Sequence, residues 1–274
     1  MFADDTSLSE TSANAKELTS NLQISTNQLV EWTKFNHMAL SKIKTKCMYI
    51  TTRQKRDKMT TQFPCLYINK TIIEEVDQHK HLGILIDNNL SWSDHISSLA
   101  KRLSQKNYQL SKIKHFLNLN SRKTFFYGHF LSLMNYASTI WDSASATNLN
   151  MIKRLHKRAV KLILLKSSSL TPTDYRSLNI LPFSDRLTFN KFTMMNKIIN
   201  GKAPPYLNAL FVKNTSRHKH QLTFPRPRNN LFKSSLVHSG GTLWNNLPFH
   251  LKSITNLKNF KFIMKKHLLN NLTI

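Results

Sequence analysis

The stretch ISSLAKRLSQKNYQLSKIKHFL, residues 96–117, decides much of the fold. Its apolar residues recur at steps of three, four and seven, which is the spacing of one face of an α-helix. They are Ile96, Leu99, Leu103, Leu110, Ile113 and Leu117. The lysines and arginines lie mostly off this stripe, so the pattern predicts an amphipathic helix with a cationic outer face.

Helical patterns continue towards the carboxyl terminus. Further helices are predicted over 122–136, which is rich in aromatic residues, and over 149–166. A serine run at 167–169 and Thr171-Pro172 mark a linker or a helix boundary. Beyond it we expect short helices, a stretch broken by Pro225 and Pro227, and a final basic helix over 256–272.

Residues 1–90 have a different character. Helical periodicity runs through Leu18, Leu22, Leu29 and Trp32, while β-branched and aromatic residues predict strands over 45–52, 65–76 and 80–87. The basic break at 53–58 is expected to be a solvent-exposed loop. The fold class predicted is therefore α+β, with segments 1–90, 91–170 and 171–274, of which the last two are mainly helical.

The charge balance favours a polyanionic partner. Forty lysines and arginines against fourteen acids give a formal net charge of +26, and no acidic residue follows Asp185. Such a surface attracts nucleic acid and gains affinity by releasing counterions. The alternative is an A/T-rich gene, which would enrich lysine, asparagine and isoleucine without selection for binding.

Several classes of protein are not expected. No run approaches the roughly 20 apolar residues of a membrane-spanning helix, and the first ten residues do not resemble a signal peptide. Cys47 and Cys65 are too few for a disulfide framework or a cysteine-rich zinc site. We therefore expect an intracellular protein, cytoplasmic or nuclear, without a membrane partner or a small-molecule cofactor; its oligomeric state is left open.

The opening residues, Met1-Phe2-Ala3-Asp4-Asp5-Thr6, contain a carboxylate pair. Two adjacent carboxylates supply the hard oxygen ligands that Mg²⁺ prefers. The competing interpretation is a solvated acidic pair near a helix start. The motif is short, so its meaning depends on the motifs further along the chain.

Further motifs come after the carboxylate pair in order: Lys44-Thr45, a Leu82-Gly83 pair, and Leu90-Ser91-Trp92-Ser93-Asp94-His95-Ile96. After these come the stretches YASTIW at 136–141, LHKRA at 155–159 and LWNNLP at 243–248. In this order they resemble the reverse transcriptases of non-LTR retrotransposons of the jockey-like group, from the catalytic hairpin onward. The resemblance covers most of the 274 residues.

The resemblance implies a truncated polymerase palm within 1–90, a thumb-like helical domain within 91–170 and a basic region within 171–274. It makes Asp4 and Asp5 catalytic Mg²⁺ ligands in the intact family enzyme, although we do not expect this chain alone to hold the ion stably. It makes His81-Leu82-Gly83 a primer grip. Gly83 suits close approach of a strand because it lacks a Cβ; the alternative is an ordinary turn glycine. The family usually has an aromatic residue where His81 stands.

The implied partners are RNA and DNA, held as template and primer. On charge, the cations expected to contact phosphates lie in the helices over 96–117 and 149–166, and the second has no acid. They are Lys101, Arg102, Lys106, Lys153, Arg154, Lys157, Arg158 and Lys161. The alternative for the 149–166 helix is a solvated charged face. Its core face is expected to contain Ile152, Leu155, Ala159 and Leu162.

Three functions remain open from sequence. The chain is a carboxyl-terminal part of such a reverse transcriptase, a freestanding basic RNA- or DNA-binding protein, or a non-functional relic of a mobile element. The family places a third catalytic aspartate and the fingers upstream of the motif at Asp4-Asp5. We therefore expect this chain alone to bind nucleic acid without polymerase activity.

Overall fold

The computed structural model describes residues 5–41, 43–57, 64–213 and 221–272. The chain forms two compact units, Met1–Leu90 and Ser91–Ile274. The first unit combines helices with short strands, and the second is mostly helical. The α+β class is therefore confirmed, whereas its assignment to a palm and a thumb, and the three-segment division, stay predictions.

The first unit contains two described helices and three two-stranded sheets. The helices are α1 (Ala15–Phe35) and α2 (Arg53–Asp57). The strands are β1 (Lys46–Cys47), β2 (Tyr67–Ile68), β3 (Thr71–Ile72), β4 (Glu74–Glu75), β5 (Gln78–His81) and β6 (Ile84–Asp87). Strand β1 pairs with β4 in parallel, and β2–β3 and β5–β6 are antiparallel hairpins.

Helix α1 organises this unit. It begins where the Asn14 side chain accepts a hydrogen bond from the Lys16 backbone N–H, which satisfies one of the free amides of the first turn. Its Val30 is buried in an apolar cluster with residues of the β2–β3 region. The Gln23 amide also donates to the Tyr67 carbonyl at 2.9 Å and accepts from the Tyr67 N–H at 2.8 Å. Packing and hydrogen bonds together fix β2 against α1.

Three expectations for the first unit need correction. The predicted strand over 45–52 is limited to Lys46–Cys47. The basic break is the short helix α2 through Asp57, and Lys58 lies outside the described residues. The predicted strand over 80–87 is instead the end of β5, a turn and the whole of β6, because Leu82 and Gly83 both have positive φ, 46° and 82°.

The second unit is built mainly from helices. The longer ones are α3 (Ser93–Ile113), α7 (Ala146–Leu164), α9 (Phe183–Ile199) and α14 (Leu257–Asn270). The shorter ones are α4 (Leu119–Phe125), α5 (Ser132–Asn135), α6 (Ser138–Trp141), α8 (Pro172–Leu178), α10 (Pro205–Asn208), α11 (Asn230–Ser234), α12 (Gly241–Asn245) and α13 (Phe249–Lys252). Two π-helical segments, Phe126–Leu131 and Leu236–Gly240, and an antiparallel pair, β7 (Val212–Lys213) with β8 (Leu222–Thr223), complete it.

Helix α7 lies at the centre of the packing in this unit. It packs against α3 and α9, and α9 packs in turn against α14. Asn107 of α3 donates its side-chain amide to the Leu155 carbonyl of α7 at 3.0 Å, and Asn148 of α7 donates to Ser93 Oγ at the same distance. The amino-terminal parts of the two helices are joined by the second contact and their later parts by the first, so α3 and α7 are parallel.

The helix predicted over 122–136 is present, but its middle part is π-helical and not α-helical. Helix α4, the π-helical segment Phe126–Leu131 and α5 follow one another without a break. The longest element that the sequence did not predict is α9, which spans 17 residues. None of the described helices is long and apolar enough to cross a bilayer.

A buried ion pair joins α9 to the end of α6. Lys191 Nζ lies 3.0 Å from Asp142 Oδ2, and the two side chains are only 14% and 3% exposed. Burial raises the pKa of Asp142, and Lys191 opposes that rise. Removing one partner would leave the other charge buried alone, so the pair fixes how α9 is placed on α6.

His156 of α7 is fully buried among aromatic rings. Its ring centroid lies 5.7 Å from that of Phe126 and 6.2 Å from that of Phe130. Neither ring nitrogen hydrogen-bonds to any residue in the described part of the chain. Burial, helped by the charge of Arg186, lowers the pKa of His156 from 6.5 to about 3. The imidazole is therefore neutral in the folded protein.

This burial predicts a pH dependence of stability. Between pH 6.5 and about 3 the unfolded His156 binds a proton that the folded one does not, so stability falls as the pH is lowered through this range. The variant His156→Leu should lose that contribution. Its thermal unfolding midpoint should fall less than that of the wild type when the pH is lowered from about 7.5 to about 5. The exposed-site control, His250→Leu, should keep the wild-type dependence; equal slopes for H156L and wild type would contradict the prediction.

Gly241, at the start of α12, has no room for a side chain. A Cβ there would lie 2.5 Å from Phe224 Cε1, whereas a Cβ at Gly128 would meet no atom within 4 Å. We expect Gly241→Ala to cost about 1–3 kcal/mol through displacement of Phe224. Gly128→Ala, the matched control inside a helical segment, should be neutral or stabilising by up to about 1 kcal/mol. Urea unfolding measures the free energy of unfolding of both variants. A G241A variant as stable as the wild type would contradict the prediction and show that Phe224 moves aside at no cost.

Candidate nucleic-acid interface

Of the two acidic residues Asp4 and Asp5, the structure describes only the second. Asp4 lies outside the described residues, and Asp5 is exposed. Within the described residues, no group of three or more histidines, cysteines or acids is arranged to hold a metal ion. The described residues thus offer one exposed carboxylate at this place, and Mg²⁺ binding by Asp4 and Asp5 stays a prediction.

The primer-grip residues form the tip of the β5–β6 hairpin. His81 pairs with Ile84, which leaves Leu82 and Gly83 as a two-residue turn. Positive φ at both turn residues is the geometry of the hairpin turns that match the twist of the strands. Leu82 and Gly83 are exposed and His81 is half-buried. The tip thus presents its backbone outward, as the primer-grip role requires, although an ordinary turn would do the same.

Helix α7 separates an apolar face from a cationic one. Its amino end is fixed by Ser145, whose hydroxyl accepts from the Asn148 N–H. The buried face contains Ile152, His156, Ala159, Val160 and Ile163. Ile152 and Ala159 confirm the predicted core face, but Leu155 and Leu162 are only half-buried. At 100° per residue, Leu155 and Leu162 lie at the edge of the buried face, whereas His156, Val160 and Ile163 lie within it.

The five cations of α7 lie away from this buried face. Arg154, Lys157 and Arg158 are exposed, and Lys153 and Lys161 are half-buried. At 100° per residue, Lys153, Lys157 and Lys161 form one row, and Arg154 and Arg158 a second row beside it. None of the four ion pairs found among the described residues includes any of the five. None of the five is therefore neutralised by an ion pair among the described residues.

Two of these lysines have local interactions. Lys161 Nζ donates to the Ser167 carbonyl at 3.1 Å, which places it at the carboxyl end of α7. The charge of Lys153 lowers the pKa of Asp185, against a larger rise caused by burial of that carboxyl group. Lys153 is thus partly compensated by Asp185, and the exposed part of the surface is Arg154, Lys157 and Arg158.

The cations of α3 form a less coherent group. Lys101 and Arg102 are exposed, and half-buried Lys106 donates to Gln109 Oε1 at 3.1 Å. Helix α3 has three such cations against five on α7, and its first turn contains the acid Asp94, whereas α7 has no acid. Helix α7 is therefore the better candidate interface.

Sequence reasoning missed two buried cationic or titratable residues of this unit. His156 lies within the basic motif at 155–159, but its side chain belongs to the core. Arg186 of α9 is not distinguished by any motif, and its side chain is only 7% exposed. The sequence did contain an indication that Arg186 is buried, because apolar residues surround it. They are Leu181, Phe183, Leu187 and Phe189.

The α7 surface suits binding to a phosphate backbone. Evenly spaced cations on one helix face can position a polyanion without reading its base sequence. Arg154, Lys157 and Arg158 are exposed on successive turns of α7, so the geometry supports electrostatic contact with a phosphate backbone.

Comparison with known proteins gives relatives for more than half of the chain. It is 22% identical over 165 residues to a probable RNA-directed DNA polymerase from transposon X-element of Drosophila melanogaster. It is 25% identical over 167 residues to a probable RNA-directed DNA polymerase from transposon BS of the same organism. Each match covers 59% of this chain and 18% of the relative.

No family model matches the chain, and no solved structure matches it either. The chain thus matches about a fifth of the length of these curated relatives. The two matches confirm the resemblance inferred from the order of motifs: this chain is related to the RNA-directed DNA polymerases, or reverse transcriptases, of transposons.

Proposed function

We propose that this chain is the part of a transposon reverse transcriptase that holds the template–primer, and that the cationic face of α7 contacts the phosphate backbone. The single observation that carries the proposal is the row of cations on α7. Five basic side chains share one face of a helix that has no carboxylate, and none of the five forms an ion pair within the described residues. Transposon polymerases as relatives favour nucleic acid as the anion.

The electrostatic cost of this face supports a binding role. Like charges four residues apart destabilise a helix by a few tenths of a kcal/mol for each pair. The α7 face has three such pairs: Lys153–Lys157, Lys157–Lys161 and Arg154–Arg158. A polyanion aligned with the face would remove the repulsion and release counterions at the same time.

The other predicted residues fit the same assignment. In it, the first unit corresponds to the end of a palm and the region from α3 to α7 to a thumb. The exposed Leu82-Gly83 turn would lie against the primer strand, and Asp4 with Asp5 would hold Mg²⁺ and stabilise charge on the reacting phosphate. Lys101, Arg102 and Lys106 of α3 would add peripheral contacts to the backbone.

The proposal predicts a steep salt dependence that originates in α7. Filter retention of a DNA duplex or an RNA–DNA hybrid should weaken as salt rises, with a log–log slope of about −0.9 for each neutralised phosphate on a DNA duplex. Charge reversal at the three exposed positions, as R154E, K157E and R158E together, should flatten the slope by about one unit for each lost phosphate contact.

The matched control reverses three other exposed cations of the same unit, as R226E, R228E and K233E. It changes the net charge by the same amount, so it reports the effect of overall charge alone. Equal losses in the two triple variants would reject α7 as the interface, and binding that is insensitive to salt would reject a phosphate-dominated contact. Unfolding curves of both variants check that α7 still packs.

A further inference from the structure

Phe262 is an exposed aromatic residue that the packing of helix α14 does not use. Its side chain is 73% exposed, whereas Phe260, two residues earlier, is fully buried. At 100° per residue the two rings point 200° apart, so the helix can bury only one of them. The Phe260 ring lies 6.0 Å from the Trp244 ring, centroid to centroid, and Met264 is buried on the same side. Core packing therefore holds the Phe262 ring in solvent.

Lysines lie on both sides of Phe262 along the exposed face of α14. Lys258 and Lys266 are four residues before and after it, which places them about 6 Å away along the axis and within about 40° of it around the helix. Both side chains are exposed, and so is that of Lys261. Helix α14 has no acidic residue, and none of its lysines belongs to an ion pair found among the described residues. The face thus combines an exposed ring with cations.

The last turn of α14 marks the end of this exposed face. Leu269 lies within about 20° of Phe262 around the helix, yet it is buried. There α8 packs against α14, and Arg176 Nε donates to the Leu269 carbonyl at 2.9 Å. This contact and the Trp244–Phe260 packing hold the helix on its inner side and at its end. The exposed face is therefore presented on a fixed helix over residues 258–266.

The exposed ring distinguishes this face from that of α7, which has no phenylalanine, tyrosine or tryptophan. Lysines suit any phosphate backbone, but an aromatic ring adds binding energy only where an unpaired base can stack on it. Tyr108 of α3 is another exposed ring on a basic helix, but Lys112 Nζ already lies 5.3 Å from its centroid. Phe262 is therefore the better candidate for base stacking.

We propose that the exposed face of α14 binds single-stranded nucleic acid, with one base stacked on the Phe262 ring. The other residues of this face are Lys258, Lys261 and Lys266. They contact the phosphates before and after the stacked base, and binding releases counterions from the strand. A partner protein fits less well, because burying these lysines without paired acids would be costly.

This inference adds a second form of nucleic acid to the proposed function and places it on a different helix. Every base has a π-face, so the surface is expected to recognise an unpaired strand and not a particular sequence. Because the α7 proposal concerns a duplex and other residues, either proposal can fail alone.

The first experiment compares the affinities of the full chain for a single-stranded oligothymidylate and for a DNA duplex of the same length. Phe262→Ala should weaken binding to the single strand by about fivefold or more, as alanine substitution of a stacking residue does. Binding to the duplex should not change. Phe262→Trp should keep the wild-type affinity. Phe262→Leu should behave as F262A does, because leucine is apolar but has no π-face. Fluorescence anisotropy measures all of these affinities.

Two matched controls accompany these variants. Tyr206→Ala removes a ring that is 70% exposed on α10, a helix without charged residues, and should leave both affinities unchanged. Charge reversal as K258E and K266E together should flatten the log–log salt slope of single-strand binding by about 0.7 for each lost phosphate contact. Reversal of two other exposed cations, as R226E and R228E, changes the net charge equally and should keep the slope.

The second experiment uses the wild-type chain and needs no variant that folds. Ultraviolet irradiation in the presence of the oligothymidylate should join the stacked base to Phe262. Trypsin cleaves after Lys261 and Lys265, so peptide mass spectrometry separates a crosslink in residues 262–265 from one at Phe260. The crosslink should survive in the R154E, K157E and R158E variant, which tests the α7 proposal separately.

Four results would overturn the inference. They are an F262A affinity for the single strand equal to that of the wild type, an equal loss of affinity for single strand and duplex, F262L binding as tightly as F262W, and no crosslink in residues 262–265. A defect of F262A confined to self-association, measured by sedimentation, would identify the face as a protein contact and would also reject it.

Discussion

The division of helix α7 into a buried face and a cationic face is the constraint on which the second unit depends. The buried face packs against α3 and α9, so rotation of α7 about its axis would place lysines in the core and expose Ile152 or Ile163. Moving even one such charge out of water costs several kcal/mol, about as much as the whole free energy by which many domains are stable. Packing therefore fixes the direction in which the cations point, and the candidate interface follows from the core.

The same unit handles buried charge in two opposite ways. Lys191 and Asp142 neutralise each other at 3.0 Å inside the protein. Arg186 is similarly buried but forms no ion pair among the described residues, and its guanidinium carbon lies 5.2 Å from the centroid of the Phe189 ring. The electron-rich face of an aromatic ring attracts a cation, so the two buried cations are stabilised by different kinds of contact.

Sequence patterns located helices α1, α3 and α7 within a few residues, because apolar residues recur at helical spacing in each. In α3 and α7 several of these residues are buried, whereas in α1 the buried residues are three threonines and Val30, and Trp32 of the predicted stripe is exposed. Helix α9 shows no such spacing, since it is covered by α6, α7 and α14 and buries residues around much of its circumference. A turn at Gly83 was one of the alternatives from sequence, but nothing in the β-branched pattern marks Leu82 as a second residue with positive φ.

The candidate site was predictable only in part. The cations of α7 could be read from their spacing, because exposed charge depends on a single helix. The burial of His156 depends on the rings of Phe126 and Phe130, which are distant in sequence, so no local pattern encodes it. The order of motifs still identified the relatives, since it does not require the fold to be known.

The π-helical segment Phe126–Leu131 is a place where the chain can change length by one residue. Its wider turn accommodates one residue more than an α-helix would in the same rise. Deleting one residue here could therefore restore α-helical winding while Leu131 and Met134 still face the core. A deletion elsewhere in a regular helix would instead rotate all that follows by about 100°. Related chains are therefore expected to differ by one residue at this segment more readily than within the α-helices on either side of it.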